Sequence, residues 1–236
     1  DSLSQRRSPM SVKIKICGLT RKEDIEAANK FLPEYIGFVF AEMSKRYISP
    51  KEAEILSRQV SPCIRRTGVF VKNDISLIID LAERQVIDVI QLHGQEEETY
   101  VRELLRALET IKRPRREIQV IQAFSISKEE DIRKAEKSLA DLILLDQGKG
   151  GTGTCFNWKL AEQVSRPFFL AGGLKEENIE EAIERTRPYG VDISSGAETD
   201  GVKDREKIKR IIRRIRDGKG QIRSPRRTVY TGNADE

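Results

Sequence analysis

The chain is poor in several residue types, and each scarcity excludes something. Among its 236 residues are one histidine, His93, and three cysteines, Cys17, Cys63 and Cys155. An odd cysteine count argues against a disulfide framework and suits a reducing compartment, so a cytoplasmic location is expected. No His/Cys/carboxylate cluster has metal-ligand spacing, so no metal site is expected. No apolar run approaches the ~18 residues of a membrane span. Arg6 and Arg7 are followed by no apolar stretch of the secretory type, and residues 1–11 read as a disordered leader. An early strand-Gly-x-Gly-x-x-Gly-helix fingerprint is missing, which weakens a dinucleotide-binding reading. Hydrophobic residues nevertheless make up 38% of the chain. That suffices for a core and excludes wholesale disorder, collagen-like and coiled-coil architectures.

Charge is plentiful but unevenly placed. Residues 203–227 hold twelve Lys/Arg against three Asp/Glu, whereas residues 11–202 hold 29 basic and 32 acidic side chains. The basic pI therefore belongs to the C-terminal end and not to the body. Such an end can meet nucleic acid or a membrane surface. We read it instead as a solvated helix face followed by a disordered basic tail over 218–236, with neither partner expected.

Short apolar, β-branched runs alternate with charged segments of helical period. Strands are expected near 12–17, 35–40, 67–71, 88–92, 119–123, 142–145, 168–170 and 191–193. Helices are expected near 21–31, 50–60, 75–84, 96–108, 128–139, 158–164, 176–185 and 204–216. Pro50 suits a first helical turn, Asp74 stands where an N-cap would, and Ser127 with Glu130 has the spacing of a capping box. Eight strand-helix units in roughly 205 residues fit a single closed α/β (β/α)8 TIM barrel over 12–217 better than a doubly wound sheet.

In such a barrel the chemistry lies at the C-terminal strand ends. Cys17 ends the first strand, His93 follows the fourth and Asp146 ends the sixth, all on one rim. Glycines mark the later loops: Gly150, Gly151, Thr152 and Gly153 after strand 6, Gly172 and Gly173 after strand 7, and Ser194, Ser195 and Gly196 after strand 8. Backbone N–H groups bared by glycine form an anion cradle, and loops after strands 7 and 8 commonly hold a substrate phosphate. Strand parity puts Lys13, Lys15 and Cys17 on one face and Ile14 and Ile16 on the other. With the isoleucines against the helices, Lys15 lies inside the barrel and needs a partner. Asp192, on the strand that closes against the first, is expected to pair with it.

Several segments recur in a known order: Lys15-Ile16-Cys17-Gly18-Leu19-Thr20, Gly37-Phe38-Val39-Phe40, Ser44-Lys45-Arg46-Tyr47-Ile48-Ser49-Pro50, Gly68-Val69-Phe70-Val71, Gln91-Leu92-His93-Gly94, Leu144-Leu145-Asp146, Gly150-Gly151-Thr152-Gly153, Ala171-Gly172-Gly173-Leu174 and Val191-Asp192-Ile193-Ser194-Ser195-Gly196. Together, from about Val12 to Arg216, they resemble the phosphoribosylanthranilate isomerases of tryptophan biosynthesis. The resemblance implies an Amadori rearrangement of N-(5-phosphoribosyl)anthranilate, with Asp146 as general acid, Cys17 as general base and no cofactor. It implies that Arg46 engages the anthranilate part, that His93 touches substrate, and that the chain is a monomer or homodimer. The acid needs a raised carboxyl pKa. The base needs a lowered thiol pKa, which cations such as Lys15 or Arg46 would supply. Cys63 and Cys155 read as bystanders.

The chain departs from the family at Thr154-Cys155-Phe156-Asn157-Trp158, where a lysine and a Phe-Asp-Trp turn are common. It departs again at Lys72, and in 112–116 and the tail after Asp217. Two alternatives stay open on residues alone: a histidine-pathway or dual-substrate sugar-phosphate isomerase, and a non-catalytic phosphate-binding barrel with a basic tail. The first of these chemistries typically places an aspartate where Cys17 stands.

Overall fold

Eight short runs that are buried on both faces pair side by side into one closed sheet. In the computed structural model, which describes residues 11–114, 117–146 and 158–217, β1 (Lys13–Cys17), β2 (Tyr35–Val39), β3 (Arg65–Phe70), β4 (Val89–Leu92), β5 (Gln119–Ser125), β6 (Leu142–Asp146), β7 (Phe168–Ala171) and β8 (Gly190–Ile193) follow one another in chain order, and β8 closes against β1. All eight pairings are parallel, and parallel neighbours require crossovers that here are helical. The crossover helices are α1 (Lys22–Phe31), α2 (Pro50–Ser57), α3 (Ile75–Glu83), α4 (Glu98–Leu108), α5 (Glu129–Glu136), α6 (Trp158–Ala161) and α7 (Ile179–Thr186), and α8 (Arg205–Asp217) follows the last strand. The fold is the (β/α)8 barrel that the alternation predicts.

The core is a shell between sheet and helices. Ile14 and Ile16 join it together with Ile25 of α1 and Ile208, Ile211, Ile212 and Ile215 of α8. Those four isoleucines recur at i, i+3, i+4 and i+7, the stripe of a helix buried on one side. The basic residues of α8 lie on its other side and meet carboxylates: Arg210 and Arg214 contact Glu176, Lys209 contacts Glu206, and Arg216 contacts Glu34. The solvated face expected there is present. The leader through residue 10 and the tail 218–236 lie outside the described residues.

Of the two caps expected, one keeps its position and one shifts. Asp74 occupies the N-cap of α3 as expected, though without a side-chain cap bond, and the preceding Asn73 accepts from Val71 N–H and donates to the Phe40 carbonyl. At α5 the N-cap is Lys128, and Asp131 accepts from the backbone N–H of Ser127 and Lys128 and from the Ser127 hydroxyl. Glu130 pairs instead with Lys128 and Lys134. At α2 the expected Pro50 start is reinforced by a capping box between Ser49 and Glu52. After β8 the chain adds a feature outside the eight-fold pattern, a small hairpin of β9 (Glu198–Thr199) and β10 (Val202–Lys203). Its turn is Asp200-Gly201, both with positive φ, as a tight two-residue hairpin demands.

Candidate active site

The C-terminal ends of the strands surround a cavity of about 300 Å³. Cys17, Arg46, His93, Asp146, Gly172, Gly173 and Ser195 all line it, so residues singled out between positions 17 and 195 converge on one space. Gly196 packs just behind, where a Cβ would stand 2.0 Å from the Leu174 carbonyl oxygen. Gly151, Thr152 and Gly153 lie outside the described residues.

Cys17 is brought to the cavity by the alternation of β1, which turns Ile14 and Ile16 outward and Lys15 and Cys17 inward. Its thiol has room because Gly37 stands opposite in the β1–β2 register. A Cβ at position 37 would lie 2.6 Å from Sγ. Directly below, Lys15 is 0% exposed and its Nζ donates to Asp192 Oδ2 at 2.8 Å. The two residues are register partners across the closing seam. The ion pair expected from parity is therefore present, and it satisfies a buried ammonium that would otherwise be prohibitive.

Ionisation at this wall runs against the simple expectation. Burial pushes the Cys17 thiol above the ordinary thiol range, Asp192 adds to the rise, and the pull of Lys15 and Lys203 does not overcome them. For Lys15, burial disfavours the charge, but Asp192 and Cys17 outweigh it and hold the ammonium above the ordinary lysine value. Sequence reasoning counted the cations near the thiol and not the water that the barrel removes from it.

The opposite wall is built by β4 and β6. Asp146 ends β6, and its Oδ2 lies 3.0 Å from His93 Nε2. The other ring nitrogen, Nδ1, lies 2.9 Å from Gln91 Nε2. An amide nitrogen only donates, so in this arrangement Nδ1 is the acceptor and the ring proton sits on Nε2, aimed at the carboxylate. Gln91 belongs to the same motif as His93, two residues before it on one strand face. It is 1% exposed, and its Oε1 has no hydrogen-bond partner among the described residues.

Arg46 projects from the loop after β2, which returns to that strand through the Ile48 N–H and the Val39 carbonyl. Its stem crosses Gly18, where φ is +87° and a Cβ would meet the arginine Cδ at 2.4 Å. The guanidinium donates from Nε and Nη2 to the two carboxylate oxygens of Glu198, at 2.6 and 2.8 Å. Lys203 donates to the same carboxylate and to the Ser194 carbonyl. Burial alone would raise the Glu198 pKa, but Arg46 and Lys203 hold it below the usual carboxylate range. Neither Glu198 nor Lys203 was singled out from sequence. The one local signal was the Asp200-Gly201 pair between Thr199 and Val202, which marks the hairpin that holds them. At the glycine loops, Gly172 and Gly173 take φ of +91° and +66°, and Ser194 Oγ donates to the Cys17 carbonyl, tying the β8 loop to β1. Among the described residues no group of three or more His, Cys, Asp or Glu side chains is disposed to hold a metal ion. No helix among them is long and apolar enough to cross a membrane.

Fold and cavity together define a (β/α)8-barrel enzyme with its chemistry at the C-terminal strand ends. Residues 14–214 match the family model for N-(5'phosphoribosyl)anthranilate (PRA) isomerase. An N-(5'-phosphoribosyl)anthranilate isomerase of Clostridium acetobutylicum is 40% identical over 213 residues, covering 87% of this chain and 98% of that protein. The crystal structure of phosphoribosyl anthranilate isomerase from Thermotoga maritima superposes with a TM-score of 0.75 at 36% identity, covering 87% and 99% of the two chains. A second solved phosphoribosyl anthranilate isomerase, in complex with reduced 1-(o-carboxyphenylamino)-1-deoxyribulose 5-phosphate, gives a TM-score of 0.73 at 35% identity and the same coverage. The chain belongs to the phosphoribosylanthranilate isomerase family, enzymes of tryptophan biosynthesis.

Proposed function

We propose that this cavity converts N-(5-phosphoribosyl)anthranilate to 1-(2-carboxyphenylamino)-1-deoxyribulose 5-phosphate, with Asp146 as acid and Cys17 as base. The observation that carries the assignment is that a thiol on β1 and a carboxyl on β6 open from different walls onto the same space. A sugar held between them is reached by one group at its ring oxygen and by the other at C2.

Asp146 protonates the furanose oxygen, the C1–O bond breaks, and the anilinic nitrogen supplies the electrons for a C1–N double bond. The carboxylate left behind is stabilised by the His93 Nε2–H, which already points at it. Before transfer the acid's proton sits on Oδ1, and Oδ2 accepts from the same His93 Nε2–H, so the ring keeps one tautomer throughout. The Gln91 amide nitrogen, donating to Nδ1, holds that tautomer. Cys17 as thiolate then removes the C2 proton, its electrons forming the enolamine, which tautomerises to the C2 ketone as C1 gains a proton. Lys15 beneath the thiolate is the cation fixed nearest to that charge on its own strand. General acid–base groups of this kind contribute ~10²–10⁴-fold each.

Arg46 binds the anthranilate carboxylate, for which a guanidinium fork is shaped, and His93 touches the opened sugar. Gly172, Gly173, Ser195 and Gly196 cradle the phosphate. The enzyme acts in the cytoplasm on this phosphorylated small molecule, as a monomer or homodimer. The test is to follow anthranilate fluorescence as phosphoribosylanthranilate is consumed, beside an assay of the bisphosphate isomerised in histidine biosynthesis. Turnover of the first alone is expected. Turnover of the second without the first overturns the assignment.

A further inference from the structure

A guanidinium offers a carboxylate two bidentate edges, a side edge formed by Nε with one terminal nitrogen and an end edge formed by both terminal nitrogens. In Arg46 the side edge is taken, Nε and Nη2 reaching the two oxygens of Glu198 at 2.6 and 2.8 Å. No hydrogen bond among the described residues engages Nη1, and Arg46 lines the cavity while Glu198 stands outside its lining. Glu198 is itself held firmly. Its side chain is 7% exposed, Lys203 donates to one of its oxygens, and Lys207 Nζ donates to its backbone carbonyl at 2.6 Å. The arginine stem is pinned from the other side by Gly18, which leaves no room beneath it. A long side chain that in water would sample many rotamers is thus fixed at both stem and head, with one edge still open.

We propose that Glu198 is a positioning residue for substrate selection: it holds the side edge of Arg46 so that the end edge is presented, already oriented, to the aromatic carboxylate of the substrate. This deepens the assignment of Arg46 above and rests on it. Rotamer entropy otherwise lost on binding is removed in advance, the usual gain of preorganisation. Because Glu198 sits in the hairpin directly after the Ser194-Ser195-Gly196 loop, the same short segment sets the head of Arg46 and the glycine loop at the phosphate end.

The test measures the Kd of two probes: reduced 1-(o-carboxyphenylamino)-1-deoxyribulose 5-phosphate, and the same compound made from aniline, which lacks the carboxylate. Both are titrated into wild type, Glu198→Ala, Glu198→Asp, Arg46→Ala and the Arg46→Ala/Glu198→Ala double variant. Glu198→Ala is expected to weaken the carboxylated probe at least tenfold and the aniline probe less than twofold. The double variant is expected to bind no more weakly than Arg46→Ala alone. Glu198→Asp keeps a charge beside Lys203 but draws the carboxylate back by one methylene, and it shows the same selectivity should the alanine variant fail to fold. Equal loss for both probes in the Glu198 variants, with Arg46→Ala selective, overturns the positioning role and leaves a structural one. Tighter binding of the carboxylated probe also overturns it, since Glu198 would then be a competitor. A non-selective Arg46→Ala overturns instead the reading of Arg46 itself.

Discussion

Replacing Gly37 by alanine tests the geometry of the thiol with the smallest available change. The new Cβ would lie 2.6 Å from Cys17 Sγ, 3.2 Å from its Cα and 3.3 Å from its Cβ. Ordinary contact begins at 3.4 Å, so Sγ must withdraw by about 0.8 Å. The backbone of β1 is held by its ladders to β2 and β8, and the displacement therefore falls mainly on the thiol rotamer. Overpacking of this kind costs ~1–3 kcal/mol of stability. A misplacement approaching 1 Å at a reacting atom can cost ~10²-fold in rate. Gly37→Ala should accordingly remain folded, with a modestly lower Tm, and lose about two orders of magnitude in kcat/KM in the fluorescence assay. A variant that folds and turns over within threefold of wild type would refute the claim that the position of Sγ matters.

Lys15→Met leaves Asp192 buried without its ammonium and should cost ~3–5 kcal/mol in urea unfolding at neutral pH, whereas the Lys15→Met/Asp192→Leu pair should recover most of that loss. A single variant within 1 kcal/mol of wild type would contradict the buried pair. For Cys17, burial raises the folded-state pKa, so the thiolate forms only as pH climbs past the ordinary thiol value of ~8.5. Iodoacetamide alkylation of Cys17, followed in a Cys63→Ser/Cys155→Ser background, should therefore rise with a midpoint above that value. A midpoint below pH ~8 would show that the nearby lysines outweigh burial after all.

The architecture was legible because its signal is local and repeated. Most strands announce themselves by short apolar, often β-branched runs and most helices by their period, and the period of two along β1 was enough to place Lys15 inside and to name Asp192 as its partner across the seam. The rim positions of Cys17, His93 and Asp146 followed from the same counting. What escaped is set by pairings with no local trace. Glu198 meets Arg46 from 152 positions away, and the hairpin that presents it has two-residue strands. Gln91 stood in the same recurring segment as His93 but was given no role, because that role depends on which ring nitrogen of His93 faces it. The capping box at α5 moved by one residue because Asp131 satisfies three donors at once, which Glu130 cannot do while paired with lysines. Charge counting also misjudged the ionisation of Cys17, because solvent exclusion is a property of the closed barrel and not of any neighbouring residue.

The central claim is that one thiol and one carboxyl share the proton transfers of the isomerisation. The most direct measurement is the fluorescence-monitored kcat/KM for phosphoribosylanthranilate of Cys17→Ala and Asp146→Asn, each first checked for a native circular dichroism spectrum. Losses of ~10²–10⁴-fold in both variants are predicted. Wild-type turnover in either folded variant would contradict the account.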